Sequence, residues 1–252
     1  MTTQDESDST AIGGADLALT MDLLWGTKPA ASRGRKPGMT IEAIVAAAIE
    51  LADAEGVDGL SMRRVADALG VGTMSLYRYV RSKADLWELM VETVLADDAP
   101  DAVTGDWRAR LERFARTGFE GYRRHPWLLR MSVRRGPMGP NQTTALEAIL
   151  TALSGIGLTP GEMMAVVGLV TGYVRSAAQQ AVDDATLAAR SGRTDEQFWT
   201  EFAPLLDARL DAATYPTLTS MWRSTELDWV DQFEFGLRRV LDGVATLVES
   251  RS

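Results

Sequence analysis

The sequence predicts an all-α protein with a small N-terminal helical unit and a larger helical domain. Three observations lead to this fold class. Apolar residues recur at helical spacing from residue 41 onward. No convincing alternating strand pattern of useful length interrupts them. The chain has 252 residues, which exceeds the usual size of one domain and favours a small module joined to a larger one.

Composition excludes several classes of protein. Hydrophobic residues make up 46% of the chain, enough to bury a core, and cysteine is absent. Disulfides, thiolate metal sites and a cysteine nucleophile are therefore excluded, and a reducing compartment fits. There is no uninterrupted run of about 18 apolar residues and the first ten residues are acidic, so we expect no membrane partner and a cytoplasmic location.

Charge is unevenly distributed along the chain. The formal net charge is -9, yet residues 33–83 carry eight basic against six acidic side chains, which leaves -11 on the remainder. An acidic body repels a polyanion from every other face. Residues 33–83 are therefore the expected docking region for a nucleic acid.

Residues 1–38 are expected to form a flexible arm, because they lack a sustained period apart from the patch LALTMDLLWG. The arm ends in SRGRKPG, where Arg33, Arg35 and Lys36 are close together. One interpretation is a solvated linker. The other is an arm for the minor groove of A·T-rich DNA, whose narrow width favours arginine.

Helix-capping signals divide the first hundred residues. Thr40 is a good N-cap for a helix that ends at Gly56, and Ser61 caps a second, shorter helix. A third short helix is predicted at 73–80, and Ser82 with an acidic residue three positions later opens a fourth. The remaining helices are predicted at about 106–124, 126–134, 142–154, 160–190, 195–212 and 227–249.

The spacing of Ala66, Gly70 and Leu76 predicts a helix-turn-helix. Two short helices that cross at a steep angle need a small residue at the crossing. They also need a turn residue that tolerates positive φ and an apolar residue that fixes the second helix. The second helix of such a unit enters the major groove.

The stretch DALGVGTMSLYRYVRSK is predicted to carry the DNA-reading face. Thr73, Met74, Ser75, Arg78 and Tyr79 are expected to point largely outward, with Tyr77 at the boundary. Hydroxyls and cations suit phosphates, and alkyl groups suit a thymine methyl. The alternative is a core role for the aromatic residues and a solvated role for the cations.

The segment IVAAAIELADAEGVDGLSMRRVADALGVGTMSLYRYVRSKADLWELM, residues 44–90, resembles the tetracycline-repressor (TetR) family of bacterial transcription regulators. The resemblance implies a three-helix DNA-binding domain at 39–84 and a helical domain for dimerisation and ligand binding at 85–252. It also implies that a small molecule releases the protein from DNA.

The resemblance assigns Arg63, Thr73 and Met74 to positions that read bases, and Ser61, Tyr77, Tyr79 and Lys83 to positions that touch phosphates. Gly72 departs from the family, where a larger polar residue is common. The full set expected at the DNA is Arg33, Arg35, Lys36, Thr40, Ser61, Met62, Arg63, Thr73, Met74, Ser75, Tyr77, Arg78, Tyr79 and Lys83.

One face of the last helix has two interpretations. It is an intramolecular core or a seam between two copies of the chain. Because two half-sites about 34 Å apart require a dimer, and because the family pairs its late helices, we favour the seam. Its residues are Phe233, Leu237, Val240, Leu241, Val244 and Val248.

The segment EMMAVVGLVTGYV at 162–174 is apolar almost all round and must be surrounded by protein. With upstream aromatic and Met residues it predicts a pocket for an apolar or amphipathic effector; a plain packed core is the alternative. The predicted lining residues are Phe114, Gly118, Tyr122, Trp127, Leu128, Met131, Met163, Val167 and Val170.

Nothing in the sequence indicates an enzyme. His125 is the single histidine, and no phosphate loop or nucleophile elbow is present. Tetracycline repressors bind a metal-chelated drug through histidine, which one histidine does not support, so no cofactor or metal is expected.

We predict a homodimeric repressor of a palindromic double-stranded DNA operator, released by a small molecule. The alternatives are control by protein partners, or an all-α enzyme or interaction module with a vestigial helix-turn-helix.

Overall fold

The computed structural model describes residues 14–26, 39–97, 105–130, 137–223 and 231–251, and within them the secondary structure is entirely helical, as predicted. Two 3-10 turns, Val57–Gly59 and Pro126–Arg130, supplement the α-helices. The α-helices are α1 Gly14–Leu24, α2 Ile41–Glu55, α3 Met62–Ala68, α4 Thr73–Leu76, α5 Lys83–Asp97, α6 Trp107–Arg124, α7 Pro140–Leu153, α8 Pro160–Ser191, α9 Asp195–Asp207, α10 Pro216–Trp222 and α11 Gln232–Glu249.

Helices α2, α3 and α4 form a small unit with its own core. The predicted caps are confirmed: Thr40 accepts from the backbone amide of Ala43, and Ser61 accepts from that of Arg64. Ile44, Val65 and Leu76 are fully buried at the centre of this core. We call α2 to α4 the reading unit.

Helix α5 belongs to the core of the reading unit and also contacts the larger domain. Its residues Leu86 and Met90 are fully buried in the same cluster as Leu76. It also contacts α1 and α7. Helix α5 therefore packs into the same core as α4.

Helices α6, α8 and α11 pack together as the core of the larger domain, which we call the effector domain. Leu111, Val170 and Leu237 are almost completely buried where the three helices meet. Helix α8 has 32 residues, begins with a capping box between Thr159 and Glu162, and ends at a left-handed glycine. None of the described helices is both long and apolar enough to cross a membrane.

The structure corrects the expected flexible arm over part of its length. Residues 14–24 of the predicted 1–38 arm form α1, which packs on α5 with Leu23 and Leu24 buried. The apolar patch supplies this contact face, and α5 supplies the partner that local sequence does not reveal. Arg33, Arg35 and Lys36 lie outside the described residues.

Three helix boundaries also differ from prediction. Helix α4 ends at Leu76 and continues as turns to Tyr79, instead of running to residue 80. The helix predicted at 195–212 ends at Asp207, and the unpredicted α10 begins at Pro216, which is suited to a first helical turn. Of the helix predicted at 126–134, the described part forms the 3-10 turn that ends at Arg130.

Candidate nucleic-acid interface and effector domain

The turn of the helix-turn-helix has the geometry that its sequence spacing predicts. Ala66 and Leu76 are fully buried, and Gly70 adopts φ +66° between them. The amide of Val71 donates a 2.9 Å hydrogen bond to the carbonyl of Ala66, which closes the turn. A side chain at position 70 would be strained by this backbone conformation.

The exposed face of α3 and α4 concentrates the predicted base-reading residues. Met74 is 79% exposed and the Arg63 side chain 85% exposed, with only a 3.8 Å ion pair to Asp67. Tyr77 and Arg78 are also exposed, and the Arg78 guanidinium donates to Ser75 Oγ at 3.2 Å. The apolar Met74 side chain can contact base edges in a groove, and the neighbouring cations and hydroxyls can contact the flanking phosphates.

Several predicted contact residues have structural roles at the edge of this face. Thr40 and Ser61 use their side-chain oxygens to cap α2 and α3. Thr73, Ser75 and Lys83 are half-buried. Each still has surface available at the end of a helix or within the short α4.

The structure corrects two orientations. Met62, expected at the DNA, is 6% exposed and packs in the core of the reading unit, because it occupies the first turn of α3 on the same side as Val65 and Ala66. Tyr79, expected outward, is half-buried against the same core, whereas Tyr77 is the more exposed tyrosine. Because α4 ends at Leu76, residues 77–79 do not have the orientations that a continued helix would give them.

Sequence reasoning missed the role of Arg64. Its guanidinium donates to both carboxylate oxygens of Glu55 and, at 2.9 Å, to the carbonyl of Gly59. The hydrogen bonds from Arg64 hold the pKa of the Glu55 carboxyl below its usual value. The adjacent arginines therefore differ: Arg63 is available to a ligand and Arg64 is engaged within the reading unit.

The predicted pocket residues separate into two groups. Phe114, Tyr122, Met163 and Val167 are half-buried beside the effector-domain core, and Val170 is buried in it. A Cβ at Gly118 would lie 3.5 Å from Val174 Cγ1, an ordinary contact between α6 and α8. These residues are in the same part of the domain, as the prediction requires.

Trp127 and Leu128 are corrections to the pocket prediction. Both are buried in the core cluster of the reading unit and α5, and the Trp127 ring meets the edge of the Trp87 ring at 5.3 Å between centroids. The 3-10 turn that follows α6 carries them toward α2 and α5. Met131 lies outside the described residues.

The face of α11 predicted as a dimer seam is buried within the chain. Phe233, Leu237, Leu241 and Val244 are at most 9% exposed, and they pack against α6 and α8. Val240 and Val248 are half-buried beside them. The intramolecular interpretation is therefore correct for this face, because the large α6–α8 surface covers it.

A different surface of α8 and α11 remains exposed and apolar. Leu169 is 51% exposed on this surface. A shallow apolar groove runs between the two helices, and a Cβ added at Gly168 or Gly243 would meet nothing within 4 Å. The groove is lined by Glu162, Ala165, Val166, Leu169, Gly243, Val244 and Leu247. We call this surface the open α8–α11 face.

Helix α5 carries Asp85, Glu88 and Glu92 within two turns of one another. Asp85 and Glu92 are buried and hydrogen-bonded. Burial, reinforced by the negative charges of Glu92 and Asp85, raises the pKa of Glu88 to about 7. No three His, Asp or Glu side chains in the described ranges are close enough together to hold a metal ion.

Comparisons with protein families match both parts of the chain. Residues 44–90 match the family described as "Bacterial regulatory proteins, tetR family". Residues 99–248 match the one described as "Tetracyclin repressor-like, C-terminal domain". The two matches correspond to the reading unit with the start of α5, and to the effector domain.

Individual relatives extend over nearly the whole chain. The HTH-type transcriptional repressor DrrR1 of Streptomyces coeruleorubidus is 43% identical over 241 residues, 95% of this chain and 89% of that protein. The tetracycline repressor protein class A from transposon 1721 of Escherichia coli is 28% identical over 80% of this chain and 88% of its own length. Both names describe repressors.

Among solved structures, ActR of Streptomyces coelicolor in complex with actinorhodin superposes with a TM-score of 0.67 and 28% identity. The match covers 83% of this chain and 97% of ActR. ActR has also been solved in complex with (S)-DNPA, with a TM-score of 0.65.

Proposed function

The chain belongs to the TetR family of DNA-binding transcriptional regulators, which are not enzymes, and we propose that it is a repressor released from its operator by a small molecule. The observation that carries the proposal is the helix-turn-helix, whose second helix leaves Met74 exposed beside Arg63, Tyr77 and Arg78. On one face, these side chains offer groups that can contact both base edges and phosphates.

The operator is proposed to have two half-sites about 34 Å apart, each read by one copy of α4. Arg63, Thr73 and Met74 are assigned to bases, and Tyr77, Arg78 and Lys83 to phosphates. Met62 is excluded from this set because its side chain is in the core.

The homodimer is proposed to form through the open α8–α11 face. An exposed apolar surface with glycines that leave room for a neighbouring backbone suits helix packing between subunits. Leu169 and Leu247 supply apolar area, and Gly168 and Gly243 permit close approach. The buried face of α11 packs against α6 and α8 and so fixes the position of this helix within each subunit.

The effector is proposed to be a flat apolar or amphipathic molecule that enters between α6, α8 and α11. Phe119 stacks on Phe233 at 4.1 Å between centroids, and Phe114, Tyr122 and Met163 lie at the edge of the same core. Aromatic and Met side chains adapt to flat ligands. The solved complex of ActR with actinorhodin supports a small-molecule effector.

Capture of genomic DNA tests the proposal. Fragments retained by the full-length protein should contain a pseudo-palindrome, and binding should weaken with rising salt. A panel of flat aromatic compounds that includes actinorhodin is then screened for release of the retained fragment. Retention of random sequences with no shared motif would contradict the assignment.

The variant Gly118→Phe tests the effector position. A phenyl ring at this place would occupy space beside Val174, so release by an active compound should be lost while operator affinity is unchanged. Gly118→Ala is the control, since a Cβ there makes only ordinary contact. Normal release from Gly118→Phe would place the effector elsewhere.

A further inference from the structure

Helix α1 is attached to α5 by a buried polar contact. Thr20 and Asp85 are 2% and 4% exposed, and Thr20 Oγ1 donates a 2.6 Å hydrogen bond to Asp85 Oδ1. Leu23 and Leu24 are buried alongside. A buried carboxylate needs such donors, so α1 completes the environment of Asp85.

The residue that follows the C-terminus of α1 reaches the effector domain. The indole nitrogen of Trp25 donates a 3.1 Å hydrogen bond to the carbonyl of Met138, two residues before α7 begins. Helix α1 therefore contacts both α5 and the segment that leads into α7.

Helix α5 is in turn joined to α7 by Glu92. This buried carboxylate accepts from the backbone amides of Asn141 and Gln142 at 2.7 and 3.1 Å, a favourable place for negative charge at a helix N-terminus. A Cβ at Gly139 would lie 2.3 Å from Glu92 Cδ, so a side chain there would displace the Glu92 carboxylate from this position. Glu92 lies seven residues beyond Asp85, about 10 Å along the helix.

We infer that α1 is a strap that holds α5 against the effector domain, with Thr20 and Trp25 as its positioning residues. The inference rests on the proposed function in one respect, that the position of α5 governs DNA binding. Because Leu76 of α4 and Leu86 of α5 share one core, a loosened α5 also loosens the recognition helix. A looser recognition helix spends less time in the geometry that matches the operator, which lowers apparent affinity.

Hydrogen exchange of the full-length protein tests the strap. Thr20→Val removes the hydroxyl and leaves a similar volume, so amides of 86–96 should exchange about tenfold faster and operator affinity should fall about threefold. Thr20→Ser keeps the hydroxyl and should restore both values. Thr93→Val is the matched control, because Thr93 is exposed on α5 and bonds only its own helix at Leu89.

Trp25→Phe is a second variant. It keeps the hydrogen bond from Thr20 to Asp85, so it tests the strap even if Thr20→Val does not fold. It should accelerate exchange at 138–142 and also weaken operator binding. Unchanged exchange in whichever of these variants fold would overturn the strap. Faster exchange with unchanged operator affinity would overturn the positioning role. Failure of the wild-type protein to bind any operator would instead refute the proposed function. The hydrogen-exchange rates of the variants would then be the only test of whether α1 holds α5.

Discussion

The indole nitrogen of Trp127 donates a 2.8 Å hydrogen bond to the carboxylate of Asp53, which joins the effector domain to α2. His125 Nδ1 lies 2.8 Å from the same carboxylate oxygen. On the other side of the 3-10 turn, Arg175 of α8 donates to the carbonyls of Leu128 and Leu129. A continuous polar connection therefore runs from α8 to the reading unit, independent of α5.

Trp127→Phe should lower the free energy of unfolding by at least about 1 kcal/mol, because Asp53 loses a donor and the smaller ring leaves a cavity at a buried position. Urea denaturation followed by circular dichroism measures the change. Trp107→Phe is the control, since the indole of Trp107 makes no hydrogen bond within the described part of the chain. Equal losses in the two variants would contradict a specific role for the Asp53 contact.

Arg63→Ala should relax sequence preference at particular operator base pairs by about 1 to 3 kcal/mol, because an exposed arginine on α3 suits the edge of guanine. Arg64→Ala should leave base preference unchanged, since that guanidinium is engaged by Glu55 and Gly59. Fluorescence anisotropy with single-base-pair variants of the captured operator, at one salt concentration, separates the two. The opposite pattern would mean that the reading face is wrongly assigned.

The reading unit was predictable because its signals are local. The Thr40 and Ser61 caps and the turn at Gly70 each depend on residues within a few positions, and all have the expected geometry. The contact between Thr20 and Asp85 joins residues 65 positions apart, so no local pattern reveals it. Dimer contacts and effector contacts remain predictions for a related reason: a sequence period identifies an apolar face and not what covers it.

Leu237 illustrates that limit. The period of α11 correctly groups it with Phe233 and Leu241, yet the surface that covers the group is α6 and α8 of the same chain. Only the packed structure shows that Leu169 and Phe235 are left exposed instead.

Leu169→Lys should therefore weaken dimerisation by at least about tenfold without loss of fold, because it places a charge in the centre of an apolar contact. Light scattering across a dilution series measures the dissociation. Leu187→Lys is the matched control: Leu187 is exposed on the same helix, about 27 Å farther along it. Dimers of unchanged affinity in Leu169→Lys would exclude the open α8–α11 face as the subunit interface.

Glu88→Gln should stabilise the protein at alkaline pH and have little effect in acid. The pKa of Glu88 is raised to about 7 by burial and by the charges of Glu92 and Asp85, so the folded state holds this proton more tightly than the unfolded state does. Its contribution to stability is complete below about pH 4.5 and is lost as pH rises through about 7. Glutamine resembles the protonated acid and removes that loss.

The gain for Glu88→Gln at pH 8 should be about 1 to 2 kcal/mol: each pKa unit corresponds to about 1.4 kcal/mol, and partial exposure of this side chain reduces the full value. Urea denaturation at pH 5 and pH 8 measures it. Glu50→Gln, at an exposed position of α2, is the control and should show no comparable rise between the two pH values. A gain of equal size at both pH values would show that Glu88 is ionised throughout and that burial and the charges of Glu92 and Asp85 do not raise its pKa.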